Sequence, residues 1–235
     1  MKAIILNSGE GKRMGDLTHD KPKCMVRLNG ETLLSRQLRI LKDIGIDDVV
    51  ITTGPHEGIL REHADKNSHD LKIKYVHNPV YDKTNYIYSL YLAKDLIDDD
   101  ILLMHGDLLF SESVLATLME EHERSVSVVS YDIDPPEKDF KAVVDDGKVK
   151  KIGVDVQGVF FQPLYSMNKD DFLRWMKSIE SFVEHGDSGV YAEEALNQLL
   201  DSGDVLLYAV DIINEICMEI DDVDDLEKAK GLLDG

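Results

Sequence analysis

The feature that most constrains this chain is a short apolar run cut off by glycine: Ala3-Ile4-Ile5-Leu6, then Asn7, Ser8, Gly9 and Gly11. A continuous apolar run bounded by turn residues reads as a buried strand. Glycine lets the main chain turn at positive φ and brings a ligand close to it. Bare backbone N–H groups in such a loop suit anionic oxygens. Five cations follow nearby, Lys12, Arg13, Lys21, Lys23 and Arg27, against only Glu10, Asp16 and Asp20 in the same segment. A glycine loop armed this way reads as a phosphate site. No Gly-Lys-Ser/Thr closes it, so it is not the Walker pattern. The third glycine of the dinucleotide fingerprint is missing as well.

The cationic segment is the more telling because the chain is acidic, with 26 Lys and Arg against 46 Asp and Glu and a formal charge of −20. Such a surface repels nucleic acid backbones and anionic membranes, so neither is an expected partner. The 235 residues, 43% of them hydrophobic, suit one α/β domain with a sizeable core. No apolar run approaches a membrane span. Cys24 and Cys217 match no metal or redox spacing, and they read as reduced thiols of a cytoplasmic protein. The eight histidines show no zinc spacing.

Strands and helices alternate along the first half. Glu31 to Ile44 repeats apolar residues at helical spacing and stops at Gly45. Asp48 to Thr53 is a β-branched strand broken by Gly54-Pro55. Ile59 to Ala64 reads as a short helix, Leu71 to His77 as a third strand and Ile101 to His105 as a fourth. Thr84 or Asn85 caps a helix that begins near Tyr86. This alternation predicts a Rossmann-like α/β fold, a mixed, mostly parallel sheet flanked by helices. Helix Ser111 to Glu121 and strand Val126 to Tyr131 continue it. After Pro135-Pro136 the pattern changes: Lys141 to Ser166 reads as a small antiparallel excursion turning at Asp145-Asp146-Gly147. Helices at Asp170–Glu184 and Tyr191–Leu200, a strand at Val205–Asp211 and a last helix at Val223–Leu233 complete the chain.

The order strand, G-x-G-x-R, then Pro22-Lys23 resembles the nucleotidyltransferase family, whose signature runs L-A-A-G-x-G-[ST]-R-[LM]-x-P-x-T-x-x-x-P-K. Gly9, Gly11, Arg13, Met14, Thr18, Pro22 and Lys23 fall on it. Asn7 and Ser8 replace the two alanines, Lys12 the small hydroxyl residue and Gly15 the first proline. Two further stretches resemble the phosphocholine cytidylyltransferase branch: Asn78-x-x-Tyr81 leading into Thr84 to Tyr91, and Met218 to Asp221 before the last helix. Within it the form is most like the phosphoglutamine cytidylyltransferases of capsule polysaccharide biosynthesis. The resemblance implies a Mg2+-dependent enzyme that moves CMP from CTP to a small phosphorylated acceptor and releases pyrophosphate. Phosphoglutamine is the first expectation; phosphocholine and 2-aminoethylphosphonate come next. Transfer to a sugar 1-phosphate, or a non-catalytic nucleotide-binding module, are the alternatives. One domain, residues 1–235, would hold the nucleotide in residues 1–131 and the acceptor in residues 132–235. A homodimer is compatible with it.

Asp107, after Gly106 at the end of the fourth strand, is either a turn aspartate or a hard-oxygen ligand for Mg2+. Asp221 is either a helix cap or the second ligand, with Asp222 competing for each role. The resemblance assigns both Asp107 and Asp221 to the metal. It gives Lys23, Arg13 and Asp107 catalytic roles, Lys23 at the α- or acceptor phosphate and Arg13, a planar donor fork, at the β- and γ-phosphates. Leu6, Asn7, Ser8, Gly9, Gly11 and Lys12 would line the nucleotide. Asn78, Thr84, Asn85 and Ser89 would lie around the base. Lys141, in Phe-Lys-Ala-Val-Val, either binds the acceptor's phosphate or snorkels from an edge strand. Tyr191 and Glu193 offer an aromatic face and a carboxylate to an amine-bearing acceptor, with core packing as the alternative.

Overall fold

The computed structural model describes residues 1–121 and 123–234. In chain order its elements are β1 (Lys2–Asn7), β2 (Arg27–Leu28), β3 (Glu31–Thr32), α1 (Leu33–Asp43), β4 (Asp48–Thr53), α2 (Glu57–Lys66), β5 (Lys72–His77), α3 (Tyr86–Leu92), β6 (Ile101–His105), β7 (Leu108–Phe110) and α4 (Glu112–Glu120). Then come β8 (Val126–Ser130), β9 (Lys141–Asp145), β10 (Lys148–Gly153), β11 (Val159–Met167), α5 (Lys169–Glu184), α6 (Ala192–Ser202), β12 (Leu207–Asp211), β13 (Cys217–Glu219) and α7 (Val223–Leu233). Short 3₁₀ segments cover Lys12–Thr18, Lys23–Met25 and Lys94–Leu96.

β1 is the inner strand the apolar run suggests, with all six residues buried. Its side chains alternate between two cores. Ile4 and Leu6 pack with Ile87, Leu90, Phe172 and Trp175 on one face of the sheet. Ala3 and Ile5 pack with Leu34, Leu38, Leu60 and Leu115 on the other. A strand covered on both faces needs a continuous apolar run rather than an alternating one. β5, β4, β1 and β6 lie side by side, all parallel. The sheet then continues through β11, β8, β12, β10 and β9 in one nine-stranded order. β11 runs antiparallel to β6 and β8, and β12 parallel to β8. The antiparallel strands β9, β10 and β11 are therefore woven into the same sheet rather than set apart from it.

Two short ladders are absent from the sequence reading, β2 with β3 and, closer to the site, β7 with β13. β7 and β13 pair antiparallel, with Leu108 opposite Glu219 and Phe110 opposite Cys217. The Ile220 N–H donates to the Asp107 carbonyl at 2.9 Å. A third core, containing Met14, Val26, Leu109, Ile220 and Leu226, fastens this ladder to the loop segment and to α7. Helix α2 starts earlier than the apolar spacing predicts, at Glu57, directly after His56 in the left-handed region at φ 59. Among the described residues no helix is long and apolar enough to cross a membrane.

Candidate active site at the end of the first strand

β1 delivers the chain to the glycine loop at the carboxyl edge of the parallel strands, where open α/β sheets bind ligands. Gly11 has φ 65, and a Cβ there would meet the Lys23 Cβ at 3.0 Å. A side chain at 11 would strain the backbone and push Lys23 aside.

Lys23 is aimed by Pro22, which starts its 3₁₀ turn. Its Nζ donates to Asp107 Oδ2 and to Asp221 Oδ1, both at 2.6 Å. Arg13 Nη2 reaches the same Asp221 oxygen at 2.8 Å. Asp107 follows β6 and Asp221 follows β13, and the β7–β13 ladder is what brings these distant residues together. Burial works against the charge on Lys23, but the two carboxylates outweigh it and hold the ammonium above the ordinary lysine value. Burial likewise opposes ionisation of Asp107, yet Lys23 and His105 keep it below the usual carboxylate range. Leu6, Asn7, Gly9, Gly11, Lys12, Arg13, Lys23, Asp107 and Asp221 all line one open cleft of about 330 Å³. Lys12 stands at its rim, exposed and paired with Glu10 at 2.6 Å. Asp222 does not compete for the cleft: its side chain caps α7, accepting from the Asp225 N–H.

A second cavity of about 170 Å³ opens beside the first, lined by Ser8, Asn78, Thr84, Asn85, Tyr86, Ser89 and His105 among others. The residues expected around the base are thus gathered, but their polar groups are largely spent. Asn78 donates through Nδ2 to Ser89 Oγ and Thr84 Oγ1, both at 3.1 Å, and accepts through Oδ1 from the Val80 N–H at 3.0 Å. Asn85 Oδ1 accepts from the Tyr86 N–H at 2.8 Å and caps α3. Asn7 is different: it is 8% exposed, and its Nδ2 is buried with no partner.

Two residues expected on the acceptor side have their polar groups engaged within the protein. Lys141 Nζ donates to the carbonyls of Glu137 (2.9 Å), Asp139 (3.1 Å) and Val154 (2.9 Å). An ammonium has three protons, so here Lys141 braces this segment with all of them. Glu193 is 1% exposed, and its oxygens take the hydroxyls of Tyr86 and Tyr165. Its carboxylate lies behind Tyr86 and lines neither cavity. Tyr191 remains 41% exposed, edge-on to Phe140 at 4.9 Å and tilted against Tyr86 at 5.9 Å.

His105 and Glu219 escaped the sequence reading as site residues. His105 Nδ1 lies 2.9 Å from Glu219 Oε1, and ligand atoms of His105, Asp107 and Glu219 fall within 4.8 Å of one another. Burial opposes charge on both partners. For His105 the Glu219 bond wins, and its pKa rises to about 9. Glu219, dominated by desolvation, is raised above the ordinary glutamate value. Only the run Met218 to Asp221 hinted at Glu219, and three-residue strands carry no periodicity to read.

A chain with a cationic loop at the edge of a parallel sheet, faced by two carboxylates sharing one ammonium, is suited to the movement of a nucleotidyl group. This chain belongs to the MobA-like NTP transferase domain family, whose profile matches residues 3–137. The CMP-5'-(3-aminopropyl)phosphonate synthase of Streptomyces rubellomurinus is 28% identical over 240 residues, 97% of this chain and 38% of that protein. The CTP:phosphoglutamine cytidylyltransferase of Campylobacter jejuni is 29% identical over 135 residues, 55% of this chain and 52% of that one. The match thus spans about half or less of the length of these two relatives. The solved CTP:phosphocholine cytidylyltransferase from Streptococcus pneumoniae superposes with a TM-score of 0.83 at 25% identity, covering 99% of this chain and 98% of that one.

Proposed function

We propose that this protein is a Mg2+-dependent cytidylyltransferase that joins CMP from CTP to a small phosphorylated acceptor and releases pyrophosphate. The observation that carries the reading is the convergence of Lys23 on Asp107 and Asp221, at 2.6 Å each, beside the glycine loop. An ionised acceptor oxygen attacks the α-phosphorus. The new O–P bond forms as the bond to the β-phosphate oxygen breaks, and pyrophosphate leaves with that electron pair. The nucleophile is already charged, so no general base is needed, and catalysis is positioning plus charge neutralisation. Lys23, held cationic by its aspartates, donates to the oxygens that gain charge at the α-phosphorus. Arg13 and the loop N–H groups hold the departing pyrophosphate.

Asp107 and Asp221 are the residues that would hold Mg2+. The donor set fits: both are carboxylates, and Asp107 Oδ1 is buried with no hydrogen-bond partner. When bound, the ion supplies charge neutralisation at the phosphate oxygens. The acceptor is a small phosphorylated metabolite, phosphoglutamine first, then phosphocholine or 2-aminoethylphosphonate, and the names of the phosphoglutamine and choline-phosphate cytidylyltransferases among its relatives support that class. Residues 1–131 hold the nucleotide and residues 132–235 the acceptor, in the cytoplasm.

The test is pyrophosphate release from CTP and Mg2+ with a panel of these acceptors and sugar 1-phosphates, with product masses measured. A CMP conjugate of one amine-bearing acceptor is the expected product. Tight CTP binding with no release for any acceptor would sink the catalytic reading and leave a nucleotide-binding module.

A further inference from the structure

Beneath the glycine loop lies a buried line of hydroxyls. Ser8 Oγ donates to Thr52 Oγ1 and accepts from Ser89 Oγ, both at 2.9 Å. Thr52 Oγ1 also accepts the Asn7 N–H at 3.0 Å. At the far end the donor is Asn78 Nδ2, and the carboxamide cannot turn because its Oδ1 is held by the Val80 N–H. Each hydroxyl has one proton. An amide feeds Ser89, Ser89 gives to Ser8, and Ser8 gives to Thr52. Exposure is 7% at Ser8, 1% at Asn78 and 0% at Thr52 and Ser89. The serine protons are spent inside the protein and are not available to a ligand.

The main chain says the same. A Cβ on Gly54 would lie 2.2 Å from the Ser8 carbonyl oxygen, so the loop rests directly on the end of β4. Thr52 and Gly54 together form the template against which the loop N–H groups are set.

We infer that Thr52 and Ser89 are positioning residues for the phosphate-binding loop, acting through Ser8 on the triphosphate rather than reading the nucleoside. This deepens the cytidylyltransferase reading and rests on it. Thr52 lines neither cavity, so any effect it has on ligand affinity must pass through the loop.

Isothermal titration of the full chain with CTP and with inorganic tripolyphosphate, Mg2+ present, separates the cases. Thr52→Val keeps the shape and leaves the Asn7 N–H and the Ser8 hydroxyl without an acceptor. It is expected to weaken both ligands by the same factor, about tenfold. Thr52→Ser keeps the acceptor and should hold both affinities within about twofold. Ser89→Ala, which leaves the strand untouched, should weaken both ligands together as well. Loss of CTP binding alone, with tripolyphosphate unaffected, would overturn the inference and make these hydroxyls readers of the nucleoside. Unchanged affinities with a lowered melting temperature would overturn it too, leaving Thr52 a packing residue. Wild-type protein that binds neither ligand would remove the nucleotide reading itself, a failure visible without any variant.

Discussion

Lys23 carries the densest set of consequences for one side chain. It is the counter-charge of two largely buried carboxylates, so Lys23→Met leaves Asp107 and Asp221 facing each other with Arg13 alone. Turnover should fall about 10²- to 10³-fold, the scale of one lost charge-stabilising donor, with the KM for CTP little changed. Steady-state pyrophosphate release measures this. A loss confined to the acceptor's KM would make Lys23 a binding residue instead. Lys141 is the contrasting case. Its three carbonyl partners predict that Lys141→Met destabilises the protein by about 1–3 kcal/mol in urea unfolding while the acceptor's KM holds. A raised KM at full stability would restore the acceptor role that its charge suggested.

At the scale of elements, the two short strands β7 and β13 matter more than their length suggests. They bring the end of β6 and the start of α7 into one place, and α7 is locked there by its own cap. The Asp222 carboxylate accepts the Asp225 N–H at 3.0 Å and pairs with Lys138 at 2.9 Å. The Asp225 carboxylate in turn accepts the Asp221 N–H at 3.1 Å. The backbone bond from Asp225, then Lys138, holds Asp222 below the ordinary aspartate value. A depressed carboxylate stabilises the fold above its unfolded pKa, and that contribution is lost as pH falls through the folded value. Asp222→Ala should therefore cost about 1 kcal/mol at neutral pH. The gap from wild type should close in acid, below the ordinary aspartate range. Urea titrations at both pH values check this, and a gap that persists in acid would show that the charge is not what caps the helix.

Across the whole molecule, a charge of −20 surrounds a cleft in which Lys12, Arg13 and Lys23 face Glu10, Asp107 and Asp221. Self-repulsion of that surface opposes the compact state. Raising ionic strength from about 0.01 M to about 0.15 M shortens the Debye length from about 30 Å to about 8 Å. The melting temperature should rise over that range, and a flat response in thermal melts would show that the acidic surface is already balanced locally. Much of the architecture was legible in the amino-acid order. β1, β4, β5 and β6 and the helices between them follow from apolar spacing, caps and glycine breaks, because backbone preference and periodicity are local properties. The cationic loop was legible for the same reason, since its members are near neighbours along the chain. The meeting of Asp107 with Asp221 was not local. It depends on a three-residue ladder between segments far apart, too short to leave a pattern. Nor does residue type reveal whether an ammonium or an amide is free for a ligand: Lys141 and Asn78 have the right chemistry, and their neighbours in space had already taken their protons. Sequence alone set the inner parallel strands, the helices between them and the charge of the loop. The tertiary structure alone decided which polar groups remain unspent, because a hydrogen-bond partner belongs to three-dimensional proximity and not to order along the chain.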